Sequence, residues 1–232
     1  VWLFLFGIAL NKNIVIISGG HLGNPDFFMK CLTQVDSRLL ICCDGGARHL
    51  AASGLLPDVL VGDMDSIEPL QQMQYERQGV KIIRHPVEKD FTDTALALEY
   101  ALSLEPQSIQ IWGALGGRID HAMANVHLLL TGKYSGVKTC LLDEFCEVFV
   151  AQTDVHLENA VGCVVSLLAL SPQAEGITLH GFAYPMTDGV LTLPESRGIS
   201  NVVLNDPAGI HVRSGDLLVI RYRQKNVFPE GC

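Results

Sequence analysis

The sequence of 232 residues contains no CxxC pair, and its seven cysteines are an odd number with two of them, Cys42 and Cys43, adjacent. That spacing argues against a disulfide framework or a cysteine-ligated zinc site, and it sets a reducing cytoplasm as the expectation. Basic residues are scarce: 16 Lys and Arg stand against 25 Asp and Glu, a net charge of −9. The electrostatic footprint of a nucleic-acid binder is missing, so no nucleic-acid partner is expected. An anionic ligand would need local donors or metal ions to be held against that background. Neither a Walker A motif nor GxGxxG occurs, so P-loop and dinucleotide-cofactor readings lose their main support. Long apolar runs are absent as well. The most apolar stretch, 1–10 (VWLFLFGIAL), is too short to span a bilayer, lacks a basic n-region and is followed by NKN rather than a small-residue cleavage site. Residues 1–12 therefore read as a loosely attached or mis-started extension, with a partial signal sequence as the weaker alternative. A soluble chain with no membrane partner is expected.

What is present suits a packed core, for 48% of the residues are hydrophobic and 18% charged. Short apolar runs rich in β-branched residues recur at 14–18, 39–43, 59–62, 81–84, 108–112 and 138–142. Continuous runs without alternation fit strands buried on both faces of a parallel sheet. Helical spacing falls between them, clearest at 94–104 (TALALEYALSL), where Glu105-Pro106 stops the period. Alternating strand and helix predicts an α/β, doubly wound, mostly parallel (Rossmann-like) sheet over 13–145. Beyond about residue 147 the pattern changes to strands and tight turns. Strands are predicted at 147–151, 163–169, 176–180, 190–193, 210–212 and 217–222, with hairpin-type turns at Thr187-Asp188-Gly189-Val190 and Ser214-Gly215-Asp216. This predicts a second, smaller all-β domain over 146–232.

Ligands of open α/β sheets bind beyond the carboxyl ends of the strands. There the sequence places Asp44, Asp63, Asp65, Asp90, Asp93 and Asp120. Each alone has a plain structural account, such as a turn residue or a helix cap. Together they are harder to dismiss, because two carboxylates about 4 Å apart repel by about 4 kcal/mol at an effective dielectric near 20. Hard oxygen ligands without a histidine cluster point to Mg²⁺. Asp63 and Asp65, at i and i+2, would share one side of an extended segment, and Asp90 and Asp93, at i and i+3, would lie one turn apart on a helix that starts early. Gly116-Gly117 lets the backbone approach a phosphate, and Arg118 supplies a bidentate guanidinium behind it. Lys89, Arg48 and Arg84 are further candidate cations.

At these residues the sequence resembles the thiamine pyrophosphokinase family. The likeness runs through DGGA at 44–47, PDVLVGDMDS at 57–66, EKDFTD at 88–93, GALGGRIDH at 113–121 with Asn125 after it, and GISN at 198–201. The resemblance implies a catalytic α/β domain followed by a thiamine-binding β-sandwich, and a homodimer with active sites at the subunit interface. It implies transfer of the diphosphate of ATP to the thiamine hydroxyl, releasing AMP, with Mg²⁺ as cofactor. By the same resemblance Asp63, Asp65 and Asp93 hold the metal, and Arg118 and Asp120 complete the catalytic set. Asp44, Gly45, Lys89, Asp90, Gly116, Gly117, His121 and Asn125 would bind ATP, while Ser200 and Asn201 would touch thiamine. Tyr184 is a possible stacking partner for the cationic ring, although a half-buried strand tyrosine is the plainer reading. Alternatives from the residues are a pyrophosphokinase for another hydroxymethyl heterocycle such as a pterin, a non-catalytic nucleotide or thiamine-diphosphate sensor, and a Mg²⁺ phosphohydrolase.

The remaining notable residues have bland readings. His21, His49, His127, His156, His180 and His211 are scattered without ligand spacing and read as surface or structural histidines. Cys42 and Cys43 read as small hydrophobes in a buried strand, and Phe27-Phe28-Met29 as core.

Overall fold

The computed structural model describes residues 12–88 and 90–223. The expected nucleotide ligand Lys89 and residues 1–11 of the expected extension lie outside the described residues. The chain divides into two compact units between Gly113 and Ala114.

The first unit is built from β1 (Asn13–Ile17), α1 (Pro25–Thr33), β2 (Arg38–Cys43), α2 (Ala47–Ala52), β3 (Val59–Gly62), α3 (Pro69–Arg77), β4 (Lys81–Arg84), α4 (Asp93–Leu102) and β5 (Ser108–Trp112). Each strand lies within a residue of an apolar run seen in the sequence. All pairings are parallel, in the order β5-β1-β2-β3-β4. The chain steps outward from β1 to β4 and then returns to the far side of β1. Right-handed crossovers therefore place α1 to α3 on one face and α4 on the other, which is a doubly wound sheet. The strand runs need no alternation because both faces are covered, and Val15, Ile16, Ile17, Ile41, Leu60, Val61, Ile109 and Ile111 have no measurable exposure.

Helix starts follow local chemistry. Asn24 caps α1 by accepting the Asp26 and Phe27 N–H groups at 2.9 and 3.2 Å, with Pro25 at the first helical position. Phe28 then packs edge-on against Trp112 at 5.2 Å between ring centroids and is core, whereas Phe27 and Met29 are only half-buried. Thr92 caps α4 by accepting the Ala95 N–H at 3.2 Å. The helix starts at Asp93 and ends at Leu102, two residues short of the expected end, because Glu105 takes a φ of 50° ahead of Pro106. Cys42 and Cys43 are buried in β2, and burial pushes the Cys42 thiol well up, which leaves it inert.

The second unit opens with α5 (Ile119–Tyr134) and β6 (Lys138–Leu142), followed by strands only: β7 (Cys146–Val150), β8 (Asp154–Leu157), β9 (Val164–Ala169), β10 (Gln173–His180), β11 (Met186–Thr192), β12 (Asn201–Val202), β13 (Ala208–His211) and β14 (Leu217–Tyr222). One antiparallel set runs β12-β9-β14-β7-β6, and a four-stranded antiparallel sheet runs β11-β10-β13-β8. Val165, Leu167, Leu217 and Val219 from the first set share one buried core with Ile177, Leu179, Leu191 and Ile210 from the second. This is a β-sandwich.

Two expectations change here. Residues 187–190 do not form a hairpin turn. They lie within β11, where Asp188 has a φ of 46° and the register against β10 shifts, so the Asp-Gly pair makes a bulge instead. Two strands went unforeseen, β8, whose DVHL reads as polar edge, and β12, which has two residues. Among the described residues no helix is long and apolar enough to cross a membrane.

Candidate active site

The first unit gathers acids at the carboxyl ends of its central strands. Asp44 follows β2 directly and Asp63 follows β3 directly. Because Cys43 pairs with Val61 in parallel register, these two strands end nearly in step and deliver the acids side by side. Asp44, Asp63 and Asp65 each bring a carboxylate oxygen within 4.8 Å of the others. The i, i+2 spacing works, but through a turn rather than an extended pleat. Met64 sits at a φ of 67°, and Asp63 Oδ1 accepts the Asp65 N–H at 3.1 Å. Ser66 Oγ donates to Asp65 at 3.0 Å.

Asp44 is buried, whereas Asp65 is exposed. Burial pushes the Asp44 carboxyl up, and the nearby charges of Asp93 and Asp63 push it the same way, against the opposing Ser66 hydrogen bonds. Asp93 borders the group. A Cβ added at Gly62 would lie 2.9 Å from Asp44 Cβ and 3.3 Å from Asp93 Oδ1. With its φ of +153°, Gly62 is thus required by both backbone and space. Asp90 precedes the capped start of α4 and is exposed, so it does not share a helical turn with Asp93. Gly45 is half-buried and lies close to Gly19.

A set of carboxylates with one member buried among like charges fits a hard dication, which would relieve the repulsion. Of the other candidate cations, Arg48 donates from Nη2 to the Gly19 carbonyl, and Arg84 reaches Glu76 at 3.4 Å.

The second unit carries the glycine loop and the start of α5. Gly117 has a φ of 97° and open space where a Cβ would point. Arg118 forks onto Asp120, with Nε 3.1 Å from Oδ1 and Nη2 2.5 Å from Oδ2. Asp120 also accepts the His121 N–H at 2.9 Å. The Arg118 hydrogen bond, with that N–H second, pulls the Asp120 carboxyl down to about 2, and Asp120 in turn raises the guanidinium. Asn125 is buried and donates to the Ala114 carbonyl at 2.9 Å, so it holds the start of the loop.

A cavity of about 410 Å³ opens in the sandwich, lined among others by Tyr184, Pro185, Met186, Arg197, Ile199 and Asn201. Asn201 is buried and its amide clamps the Tyr184 backbone, accepting the N–H at 3.0 Å and donating to the carbonyl at 2.7 Å. Tyr184 itself is 72% exposed and lies outside any strand, which corrects the plainer reading of a half-buried strand tyrosine. Clamping its backbone leaves the ring free at the cavity. Ser200 has a φ of 61° and donates its N–H to Ser166 Oγ at 3.0 Å. Met186, Arg197 and Ile199 went unforeseen, although Ile199 lies inside the GISN motif.

Carboxylates gathered at the rim of a parallel sheet, with a β-sandwich and its own cavity after it, define a class of α/β proteins equipped to hold a hard cation. Residues 28–141 match the family model "Thiamin pyrophosphokinase, catalytic domain" and residues 152–219 match "Thiamin pyrophosphokinase, vitamin B1 binding domain". The thiamine pyrophosphokinase of Bacillus subtilis (strain 168) is 31% identical over 215 residues, covering 90% of this chain and 98% of that protein. Thiamine pyrophosphokinase 1 of Oryza sativa subsp. japonica is 28% identical, covering 72% of each chain. The crystal structure of the Bacillus subtilis thiamine pyrophosphokinase superposes with a TM-score of 0.81 at 29% identity, covering 91% of this chain and 99% of that one. The chain belongs to the thiamine pyrophosphokinase family.

Proposed function

We propose that the chain is an ATP:thiamine diphosphotransferase, which converts ATP and thiamine to AMP and thiamine diphosphate. The observation that carries this reading is the gathering of Asp44, Asp63 and Asp65 at the sheet rim of a chain that matches both family models. Asp63 and Asp65, with Asp44 and the bordering Asp93, would hold Mg²⁺. The ion, when bound, neutralises charge on the phosphate oxygens.

The thiamine hydroxyl oxygen forms a bond to the β-phosphorus as the bond from that phosphorus to the AMP oxygen breaks, and the hydroxyl proton passes to solvent water. Arg118 and the backbone of Gly116-Gly117 stabilise the charge that moves onto AMP. Asp120 fixes the guanidinium fork. At about 2 its carboxyl is a poor proton acceptor at neutral pH, so its role is orientation rather than general base catalysis. Asn125 holds the glycine loop, and His121 and Gly45 belong to the nucleotide side. In the sandwich, Tyr184 offers an aromatic face to the cationic ring, with Asn201 and Ser200 shaping the backbone around it. We place the catalytic domain at 13–145 and the thiamine-binding domain at 146–232, in a cytoplasmic homodimer.

Purified protein with ATP, Mg²⁺ and thiamine should release AMP and thiamine diphosphate in equal amounts. Release of AMP with a hydroxymethyl pterin but not with thiamine, or binding of both ligands without turnover, would overturn the assignment.

A further inference from the structure

His156, His180 and His211 look unrelated in the sequence, yet strand pairing brings them to one face. Gly209 of β13 pairs with His156 of β8 on one side and with His180 of β10 on the other. Two residues along β13, and so on the same face, His211 pairs with Asp154 and Thr178. The positions between them, Leu179 and Ile210, are buried in the sandwich core. The three imidazoles therefore stand on the outer face of the four-stranded sheet.

Three features of that face suit a ligand. First, Gly209 leaves a gap between His156 and His180, since a Cβ there would meet only the Val155 carbonyl oxygen at 3.9 Å. Neighbouring strands are about 4.8 Å apart, so the two rings rise from backbones roughly 10 Å apart over a floor with no side chain. Second, both rings are exposed, and among the described residues neither makes a hydrogen bond or ion pair. Third, His211 Nδ1 lies 2.8 Å from Asp154 Oδ1, which leaves Nε2 as its outward nitrogen. A carboxylate behind one ring nitrogen is the usual device that orients a metal-ligating histidine and raises its basicity. Arg213, two residues further along the chain from His211, is engaged by Asp188 at 2.6 Å.

We propose that His156, His180 and His211 form a site for a divalent transition-metal ion of the zinc class on the outer face of this sheet, with Asp154 orienting His211. Imidazole donors favour Zn²⁺, Cu²⁺ or Ni²⁺ over Mg²⁺, so the site is chemically separate from the carboxylate group. The three rings do not meet within 4.8 Å of one another. Metal binding requires rotation about χ1 and χ2 of the two exposed, unbonded histidines to bring their nitrogens to the metal–nitrogen distance of about 2.1 Å.

The test uses the full chain made without a histidine tag, stripped with a chelator and returned to millimolar Mg²⁺ so that the carboxylates are occupied. Titration with Zn²⁺ by calorimetry, and with Co²⁺ by visible absorption, should reveal one ion per chain with micromolar or tighter affinity. The double variant His156→Ala/His180→Ala should lose at least tenfold in affinity while keeping diphosphotransferase activity in Mg²⁺. Asp154→Asn should weaken binding severalfold, and Asp63→Asn should leave it intact. Wild-type protein that takes up no Zn²⁺, or a double variant that binds it as the wild type does, would overturn the proposal.

Discussion

Asp65 is exposed and its hydrogen-bond partner is the neighbouring Ser66 hydroxyl, so an amide can replace the carboxylate without disturbing the packing. Asp65→Asn should therefore fold normally by circular dichroism and lose at least about 3 kcal/mol of transition-state stabilisation in kcat/KM, the scale of a main electrostatic group. A near-normal kcat would remove Asp65 from the cation site. Asn201 behaves differently, because its buried amide makes its bonds to backbone. Asn201→Ala should raise the thiamine KM more than it lowers kcat, and should cost about 1–2 kcal/mol in denaturant unfolding. A fall in kcat with KM unchanged would count against a role in shaping the substrate pocket. At this scale the sequence was informative wherever an acid immediately follows a strand. Asp44 and Asp63 were legible that way, and the parallel register of β2 and β3 is what makes them neighbours. The placement of Tyr184 outside a strand was not legible, because its backbone is held by an amide seventeen positions away, a link that no local pattern carries.

Among the elements, α5 has a firm anchor at its end. Lys133 Nζ lies 2.9 Å from Asp216 Oδ1, and the Tyr134 hydroxyl donates to Oδ2 at 2.6 Å. Burial raises the Asp216 carboxyl, but these bonds outweigh it and hold the group below the ordinary carboxylate range. A depressed carboxyl contributes stability above its unfolded pKa, and that contribution is lost as the pH falls through the folded value. Asp216→Asn should thus cost about 2 kcal/mol at pH 7 and progressively less toward strongly acid pH, measured by denaturant unfolding across the range. An equal loss at every pH would place the effect in packing rather than charge. The strands of the first unit were legible because burial on both faces leaves unbroken apolar runs. β8 and the first half of β11 were not, since an exposed face admits His156, Asp154 and Asp188, and a bulge can hold an Asp-Gly pair that sequence rules assign to a turn.

For the molecule as a whole, a net charge of −9 opposes the approach of a polyanionic nucleotide. Chelation should abolish AMP formation, and added Mg²⁺ should restore it with no change in the far-ultraviolet circular dichroism. Activity that survives exhaustive chelation would separate the carboxylate group from catalysis. The change from α/β to all-β architecture could be read from periodicity alone, and the two family models fall on either side of that change. The assembly of the histidine face could not, because it depends on which strands pair in the sandwich, a decision spread over distant segments. One narrow tolerance beside the carboxylates belongs to a residue without chemistry of its own. Where most positions carry a carbon, Gly62 has a hydrogen, and a single methyl group there would wedge Asp44 away from its place. Mutational libraries should find that codon intolerant even to alanine, and any redesign around the three carboxylates must begin by leaving it alone.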